Sequence, residues 1–342
     1  MPELQTSSKP TKKQTTFWFL MLLLVVLIWG LSPINANFLL ENYFTAPFYS
    51  TAVGIIAFVS LLLINIKRLN LLNKEYFKLA IPTGIVLGLA ELVQKIGLPL
   101  TTPARYAFLE QLSVVVVPIL MFIFTKKKPT IFKILGAIFC LAGSFILSGV
   151  DFASGEISFG FGELLCALAG IMFGVNIAMT GAFSKKLDSA LYVMVQMGVY
   201  IFVGIGYALI SSLPVFGGSF EASFAFKFTP LSVGLLVGAT LLSSVLCWIL
   251  RTNCMKYIDA TIVAIVTPCS AVVTGIASVI FGTDQFTSNF IIGGLVAVFA
   301  VIISGLEMSD VKKIIGAFKK KNPSTIENTE KEEQAEEVKT EE

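Results

Sequence analysis

Ten apolar runs, each about as long as a membrane-spanning helix, constrain this sequence more than any other feature. A helix needs about 20 apolar residues to cross a hydrocarbon core about 30 Å thick. The runs predict spans at residues 17–38, 44–66, 78–99, 103–124, 131–150, 160–182, 190–212, 230–251, 260–281 and 289–307. They lack the two-residue alternation that a membrane β-strand requires. The sequence therefore predicts an all-α polytopic membrane protein with ten transmembrane helices.

Composition supports this prediction and excludes several functional classes. The chain is 55% apolar and only 14% charged, whereas a soluble domain is about one quarter charged. It has no histidine, no Gly-Lys pair of a Walker A motif and no C-x-x-C pair among its five cysteines, so imidazole-bound metals and a phosphate-binding loop are excluded. We expect no cofactor, no bound metal and no nucleic-acid partner.

The distribution of basic residues predicts the orientation. With the N-terminus inside, most of the 25 Lys and Arg residues fall in inner segments, at 9–13, 67–78, 126–133, 185–186, 251–256 and 312–339. Arg251 is counted here as an inner residue, and Lys227 is outside. An excess of Lys and Arg in the inner loops follows the positive-inside rule. Both termini are therefore expected in the cytoplasm of a multi-pass protein of the cell membrane.

The two halves of the chain repeat each other in three blocks. "LIWGLSPINA" from Leu27 parallels "IMFGVNIAMT" from Ile171, and the segment from Glu91 aligns without a gap to the segment from Trp248. The last predicted helix of each half is also similar. Each repeat, 17–150 and 160–307, holds five helices, an odd number, so the second repeat is expected upside down. Inverted repeats are typical of secondary transporters, which bind substrate at the repeat interface.

Outside the repeats, the sequence predicts two cytoplasmic tails. Residues 1–16 form a short N-terminal tail, and residues 308–342 are first basic and then strongly acidic. Low hydrophobicity with a high charge density indicates a disordered, solvated segment.

Several short motifs are distributed in order along the two halves, and some of them occur in both. They are Trp29-Gly30 and Phe173-Gly174, the segment Gly162, Glu163 and Leu164, the pair Thr267-Pro268, and the glycines Gly136, Gly143, Gly293 and Gly294. With these motifs the chain resembles the EamA family of the drug/metabolite transporter superfamily across almost all of the predicted spans. The resemblance implies a cavity formed by helices 1–4 and 6–9, with helices 5 and 10 peripheral. It also implies alternating access, commonly for export of amino acids or other small metabolites.

The main chemical signal is a group of ionisable residues in predicted helices 3 and 4: Glu91, Lys95, Arg105 and Glu110. A charge at a helix centre costs about 2.5–3.5 kcal/mol on insertion scales, so such residues rarely lack a role. At about 1.5 Å per residue, the two carboxylates lie at a similar depth, about 10–12 Å from the outer edge.

Two interpretations of this group remain open. In the first, the four residues line the outward half of a substrate pathway, and Glu91 or Glu110 couples transport to protons because burial and like charge raise a carboxyl pKa. In the second, the charges neutralise each other and hold helix 3 against helix 4. Further candidate pathway residues are polar or aromatic, although hydrogen bonding between helices or ordinary packing explains them equally well. They are Asn35, Gln94, Tyr106, Gln111, Asn176, Gln196 and Trp248.

These observations predict a non-enzymatic secondary transporter of a small metabolite, acting outward and coupled to protons. The alternative is a non-transporting membrane component, such as a lipid-modifying enzyme or an assembly partner. The expected partners are a small-molecule substrate and the lipid bilayer. The sequence leaves the substrate, the direction, the coupling ion and the oligomeric state open, a monomer included.

Overall fold

The computed structural model describes residues 11–101, 109–147, 160–213, 219–280 and 288–304 of the 342-residue chain. Within these residues the regular secondary structure is helical, and the only β pairing is an isolated antiparallel bridge between Phe44 and Phe226. The all-α prediction is therefore confirmed.

The helices are named α1 to α10 in chain order, and two of them change geometry along their length. The single-geometry helices are α1 (Lys12–Asn42), α2 (Ala46–Asn65), α3 (Lys74–Gly97), α4 (Ser113–Thr125), α5 (Ile131–Leu147), α6 (Phe161–Phe183), α7 (Ser189–Ser211) and α10 (Ser288–Ser304). Helix α8 consists of Pro230–Ala239, a π-helical segment Thr240–Leu246, and Cys247–Tyr257. Helix α9 consists of Ala260–Val266, a 3₁₀ turn Thr267–Cys269, and Ser270–Ile280.

Polar side chains cap the helices where they begin. Asn73 accepts from the backbone of Glu75 at the start of α3, Asp188 accepts from Ala190 and Leu191 at the start of α7, and Asp259 accepts from Thr261 at the start of α9. A cap of this kind satisfies backbone N–H groups that have no partner inside the helix. Helix α3 consequently begins four residues before the predicted span.

Seven of these helices, α1–α3 and α6–α9, are long and apolar enough to cross a membrane by length and composition. Helices α4, α5 and α10 are also apolar but shorter in the described part of the chain. Large apolar side chains cover the outside of the helices as well, among them Ile119, Phe202 and Leu295, as expected where lipid replaces water. The protein is a multi-pass membrane protein, whereas the count of ten spans stays a prediction.

The helices pack closely at small residues. Helices α5 and α10 form an antiparallel pair in which a Cβ added to Gly143 would lie 2.8 Å from the backbone of Gly293 and of Ala297. Small residues let two membrane helices bring their backbones together, and van der Waals contact then stabilises the pair. The largest buried apolar cluster lies elsewhere, among α1, α2, α3, α6, α7 and α8.

Candidate functional site

A cavity lies among the helices, with walls contributed by both halves of the chain. Its lining residues come from α1, α2, α3, the start of α4 and the turn before it, α6, α7, α8 and α9. Within the described ranges, α5 and α10 contribute none. The family resemblance implies a cavity formed by this same set of helices. Its volume is about 120 Å³, several times what one water molecule needs.

Four polar groups on one wall form a chain of contacts from α3 to the turn before α4. The Lys95 Nζ lies 3.5 Å from Glu91 Oε2 and donates to Gln94 Oε1 at 2.8 Å. Gln94 in turn donates from Nε2 to Glu110 Oε1 at 3.2 Å. All four side chains line the cavity. Glu91 and Lys95 are four residues apart in one helix, which brings them to the same face.

The contacts of this wall agree with both interpretations that the sequence leaves open, namely a substrate pathway and a link between helices 3 and 4. The contacts hold α3 against the segment before α4, and the same groups also border the cavity. The side chains of Glu91 and Lys95 keep exposed fractions of 20% and 12%, so both remain open to a solute. A structural role and a role in the pathway are therefore compatible for these residues.

On the α8 wall lies Arg251, which the sequence analysis assigned to an inner segment. The predicted span ends at Arg251, whereas α8 continues to Tyr257, and Arg251 is only 2% exposed and lines the cavity instead of lying in a loop. The helix continues because Trp248, Cys254 and Met255 in its last turns are buried against the rest of the protein. The length of an apolar run is therefore shorter than the helix itself when the last turns of that helix are polar but packed against the protein.

Two indole rings lie close to the guanidinium of Arg251. Its Cζ lies 4.0 Å from the ring centre of Trp248 and 5.7 Å from that of Trp29. An aromatic face attracts a cation through the negative potential above the ring. Both tryptophans line the cavity, and Trp248 is also one of the residues predicted to line the pathway.

A buried hydrogen-bond network lies behind Arg251. Its Nη2 donates to Asn176 Oδ1 at 2.7 Å, and Asn176 donates from Nδ2 to the Thr83 carbonyl at 3.0 Å. The Thr83 hydroxyl accepts from Gln196 at 2.9 Å and is hydrogen-bonded to the Tyr192 hydroxyl at 2.7 Å. Asn176 and Gln196, both predicted to line the pathway, instead belong to this network behind the wall.

The other predicted site residues divide into three groups. Gln111 is buried and lines the cavity. Asn35 lies in α1 outside the cavity wall, and its Nδ2 is buried with no hydrogen-bond partner in the described part of the chain. Arg105 and Tyr106 lie outside the described residues.

Sequence reasoning did not assign Trp29 and Tyr49 to the pathway, and both line the cavity together with Tyr200, whose ring the sequence does suggest for stacking on a substrate. No local signal separates them from the many other aromatic residues of an apolar chain. Arg251 did carry a signal, because a charged residue next to an apolar run is either a loop residue or a group inside the membrane. Among the described residues, no cluster of three or more His, Cys, Asp or Glu side chains could hold a metal ion.

Comparison with known proteins agrees with this architecture. Residues 16–149 match the EamA-like transporter family, which confirms the resemblance found in the sequence motifs. One solved structure, described only as "Crystal structure of protein", is 15% identical with a TM-score of 0.65, and the match covers 85% of this chain and 96% of that one. At this identity the likeness establishes a shared fold and nothing about function. No curated protein matches the sequence.

Proposed function

We propose, starting from the match of residues 16–149 to the EamA-like transporter family, that this protein is a secondary transporter working by alternating access. The solute is a small polar or amphipathic metabolite, with amino acids the leading class, and the direction is outward across the cell membrane. The observation that carries the proposal is the charged cavity enclosed by helices from both halves of the chain.

An inverted repeat is the first element of the proposal, and two close helix contacts support it. The block that aligns Leu27 with Ile171 pairs Gly30 with Gly174. The block that aligns Glu91 with Trp248, continued without a gap, pairs Val116 with Val273. A Cβ on Gly30 would meet Val273, and a Cβ on Gly174 would lie 2.7 Å from Val116. The contact between α1 and α9 thus has its counterpart between α6 and α4. A two-fold relation between the halves produces such pairs of equivalent contacts.

The lining of the cavity follows the same relation. Residues that the alignment makes equivalent occur together in the wall: Trp29 and Phe173, Pro33 and Ile177, Glu91 and Trp248, Gln94 and Arg251, Glu110 and Thr267, Gln111 and Pro268, and Ser113 and Ser270. A cavity on the axis between two inverted repeats is where secondary transporters bind their substrates. Rocking of one repeat against the other then opens the cavity to one side at a time.

The charges of the cavity suit a solute with both polar and apolar parts. Glu91, Glu110 and Lys95 border one wall, and Arg251 with its two indole rings borders another. Carboxylates inside a membrane protein are typical of proton relays. We therefore assign proton coupling to Glu91 or Glu110.

Flux into proteoliposomes tests the transporter proposal. The full chain is reconstituted, a panel of radiolabelled amino acids is supplied, and uptake is measured with and without an imposed pH gradient. We expect at least one amino acid to move faster than in protein-free liposomes, with a rate that rises with the gradient. A panel in which no amino acid exceeds the protein-free rate contradicts the proposed solute class.

Variants of the two carboxylates test the coupling. We expect Glu91→Gln or Glu110→Gln to abolish the response to the gradient, whereas exchange between equal concentrations persists. Glu75→Gln is the matched control, because Glu75 is exposed in the first turn of α3, away from the cavity. Proton coupling at these residues is refuted if both cavity variants keep the wild-type response.

A further inference from the structure

The guanidinium of Arg251 is buried, and no acidic side chain of the described residues lies within ion-pair distance of it; the charge of Glu91 acts on it only from farther away. Among the described residues it forms no ion pair, and its one hydrogen bond is the bond from Nη2 to Asn176. Its Nε is buried with no hydrogen-bond partner. A guanidinium has five N–H donors and stays charged in proteins. Protein groups among the described residues therefore accept only one hydrogen bond from this cation.

A buried cation without a counter-ion is costly. Removing a charge from water carries a penalty of several kcal/mol, which only a well-placed opposite charge offsets. The faces of Trp248 and Trp29 compensate for part of it, since a cation–π contact contributes about 0.5–2 kcal/mol. An anionic group arriving in the cavity would supply a counter-ion in direct contact with the guanidinium.

The network behind Arg251 orients its head group. Asn176 holds Nη2 and is itself tied to the Thr83 carbonyl, and the Thr83 hydroxyl is bonded to Gln196 and Tyr192. The contacts extend through α6, α3 and α7, so three helices fix one side chain of α8. A group held in this way loses little conformational entropy when it binds a ligand.

We infer that Arg251 is the residue that binds a carboxylate group of the transported solute, and that the substrates are small molecules carrying a single carboxylate. This inference deepens the proposed function and rests on it. A planar guanidinium matches the geometry of a carboxylate. On the α3 wall the two carboxylates of Glu91 and Glu110 outnumber the one ammonium of Lys95, so this wall disfavours a second anionic group and suits an amino group instead.

Binding of matched probes tests the inference without measuring transport. The chain has three tryptophans, two of them in the cavity, so their fluorescence reports on the site once Trp18→Phe removes the third. The full chain in lipid nanodiscs is titrated with leucine, phenylalanine and threonine, and with the three amines that lack only the carboxylate. We expect a saturable fluorescence change with at least one amino acid and none with its amine at the same concentration.

Substitution of Arg251 is the second part of the binding experiment. We expect Arg251→Gln to raise the half-saturating concentration at least tenfold, and Arg251→Lys, which keeps the charge, to raise it less. Arg68→Gln is the matched control, because Arg68 is half-exposed, paired with Asp188 and outside the cavity. The comparison of amino acid with amine uses the unsubstituted residue, so it tests the need for a carboxylate even where one Arg251 variant does not fold; the charge-keeping Arg251→Lys variant then tests the residue.

Three results would overturn the inference: equal responses to an amino acid and its amine, unchanged binding in Arg251→Gln, or no response to any carboxylate of the panel. The outcome of the flux assay is independent of the outcome of the binding assay. Carboxylate-dependent binding without flux would refute the transporter proposal and leave the role of Arg251 in place. Flux that is unaffected by Arg251→Gln would refute that role and leave the transporter proposal in place.

Discussion

Trp29 donates a hydrogen bond from its indole Nε1 to the backbone carbonyl of Ser243, with 3.0 Å between the two atoms. Ser243 lies in the π-helical segment Thr240–Leu246 of α8, where the Cys247 N–H reaches back five residues to the Leu242 carbonyl. Segments of π-helix disturb the regular backbone pairing and occur often at functional sites. The bond thus joins α1 to an irregular part of α8 at the wall of the cavity.

Replacing the donor tests the importance of this bond. We expect Trp29→Phe to lower the free energy of unfolding by about 1 kcal/mol, the usual net value of one hydrogen bond, and to lower the melting temperature in detergent. Ser243→Ala is the comparison variant, because it leaves the accepting carbonyl in place and removes only the local bond from the Ser243 hydroxyl to the Ala239 carbonyl. Equal melting temperatures for Trp29→Phe and the wild type would refute the expectation.

The close approach of α6 to α4 predicts a second effect. A Cβ at Gly174 would lie 2.7 Å from the Val116 Cβ and 3.1 Å from the Ser113 Cα. We expect Gly174→Ala to destabilise the protein by about 1–3 kcal/mol, as overpacking usually does. Thermal unfolding in detergent measures it.

Gly234→Ala is the control for that experiment. Nothing lies within 4 Å of a Cβ added to Gly234 in α8, and alanine is the better helix former. This variant should therefore unfold at or above the wild-type temperature. Similar losses in both variants would mean that helix packing at Gly174 is not the cause.

The start of α9 predicts a pH dependence. Burial opposes ionisation of the Asp259 carboxyl, but the Lys133 ammonium 3.0 Å away and the hydrogen bond from Thr261 outweigh it, so the pKa of Asp259 is below its usual value of 3.8. A lowered pKa in the folded state stabilises the protein above pH 3.8, and this stabilisation is lost as the pH falls through the folded-state pKa.

Asp259→Asn removes the charge and keeps a capping side chain. We expect it to cost about 0.5 kcal/mol at pH 7, the scale of a partly exposed ion pair, and the difference from the wild type to shrink below pH 3.8. Melting curves at several pH values measure it, with Glu221→Gln in the exposed short helix Phe220–Ser223 as the control. A difference that stays constant down to pH 3 would contradict the assignment to this carboxylate.

The inverted repeat predicts the location of the two chain ends. Two units of five spans place both termini on the same side of the membrane, and the basic loops predict that this side is the cytoplasm. Reporter fusions that are active only in the cytoplasm should therefore work at either end. Reporters active on opposite sides would rule out the paired repeats.

Much of the candidate site was predictable, because a charged residue inside an apolar run is visible in the local sequence. Glu91, Lys95 and Glu110 stand out because a charge inside an apolar run is rare, and the structure brings all three to the cavity. Gln111 and Trp248 were predicted to line the pathway and do line the cavity. Asn176 and Gln196 were not separable from them by sequence, because a buried amide looks the same whether it borders a cavity or bonds to another helix.

The sequence by itself determined that this is a helical membrane protein whose residues 16–149 match the EamA-like transporter family, because the length of an apolar run and the order of short motifs are properties of the chain. The tertiary structure alone decided the position of Arg251. Whether a cation next to an apolar run lies in a loop or on a buried wall depends on what packs against the last turns of its helix. Those contacts, from α1 and α6, come from residues far away in the chain.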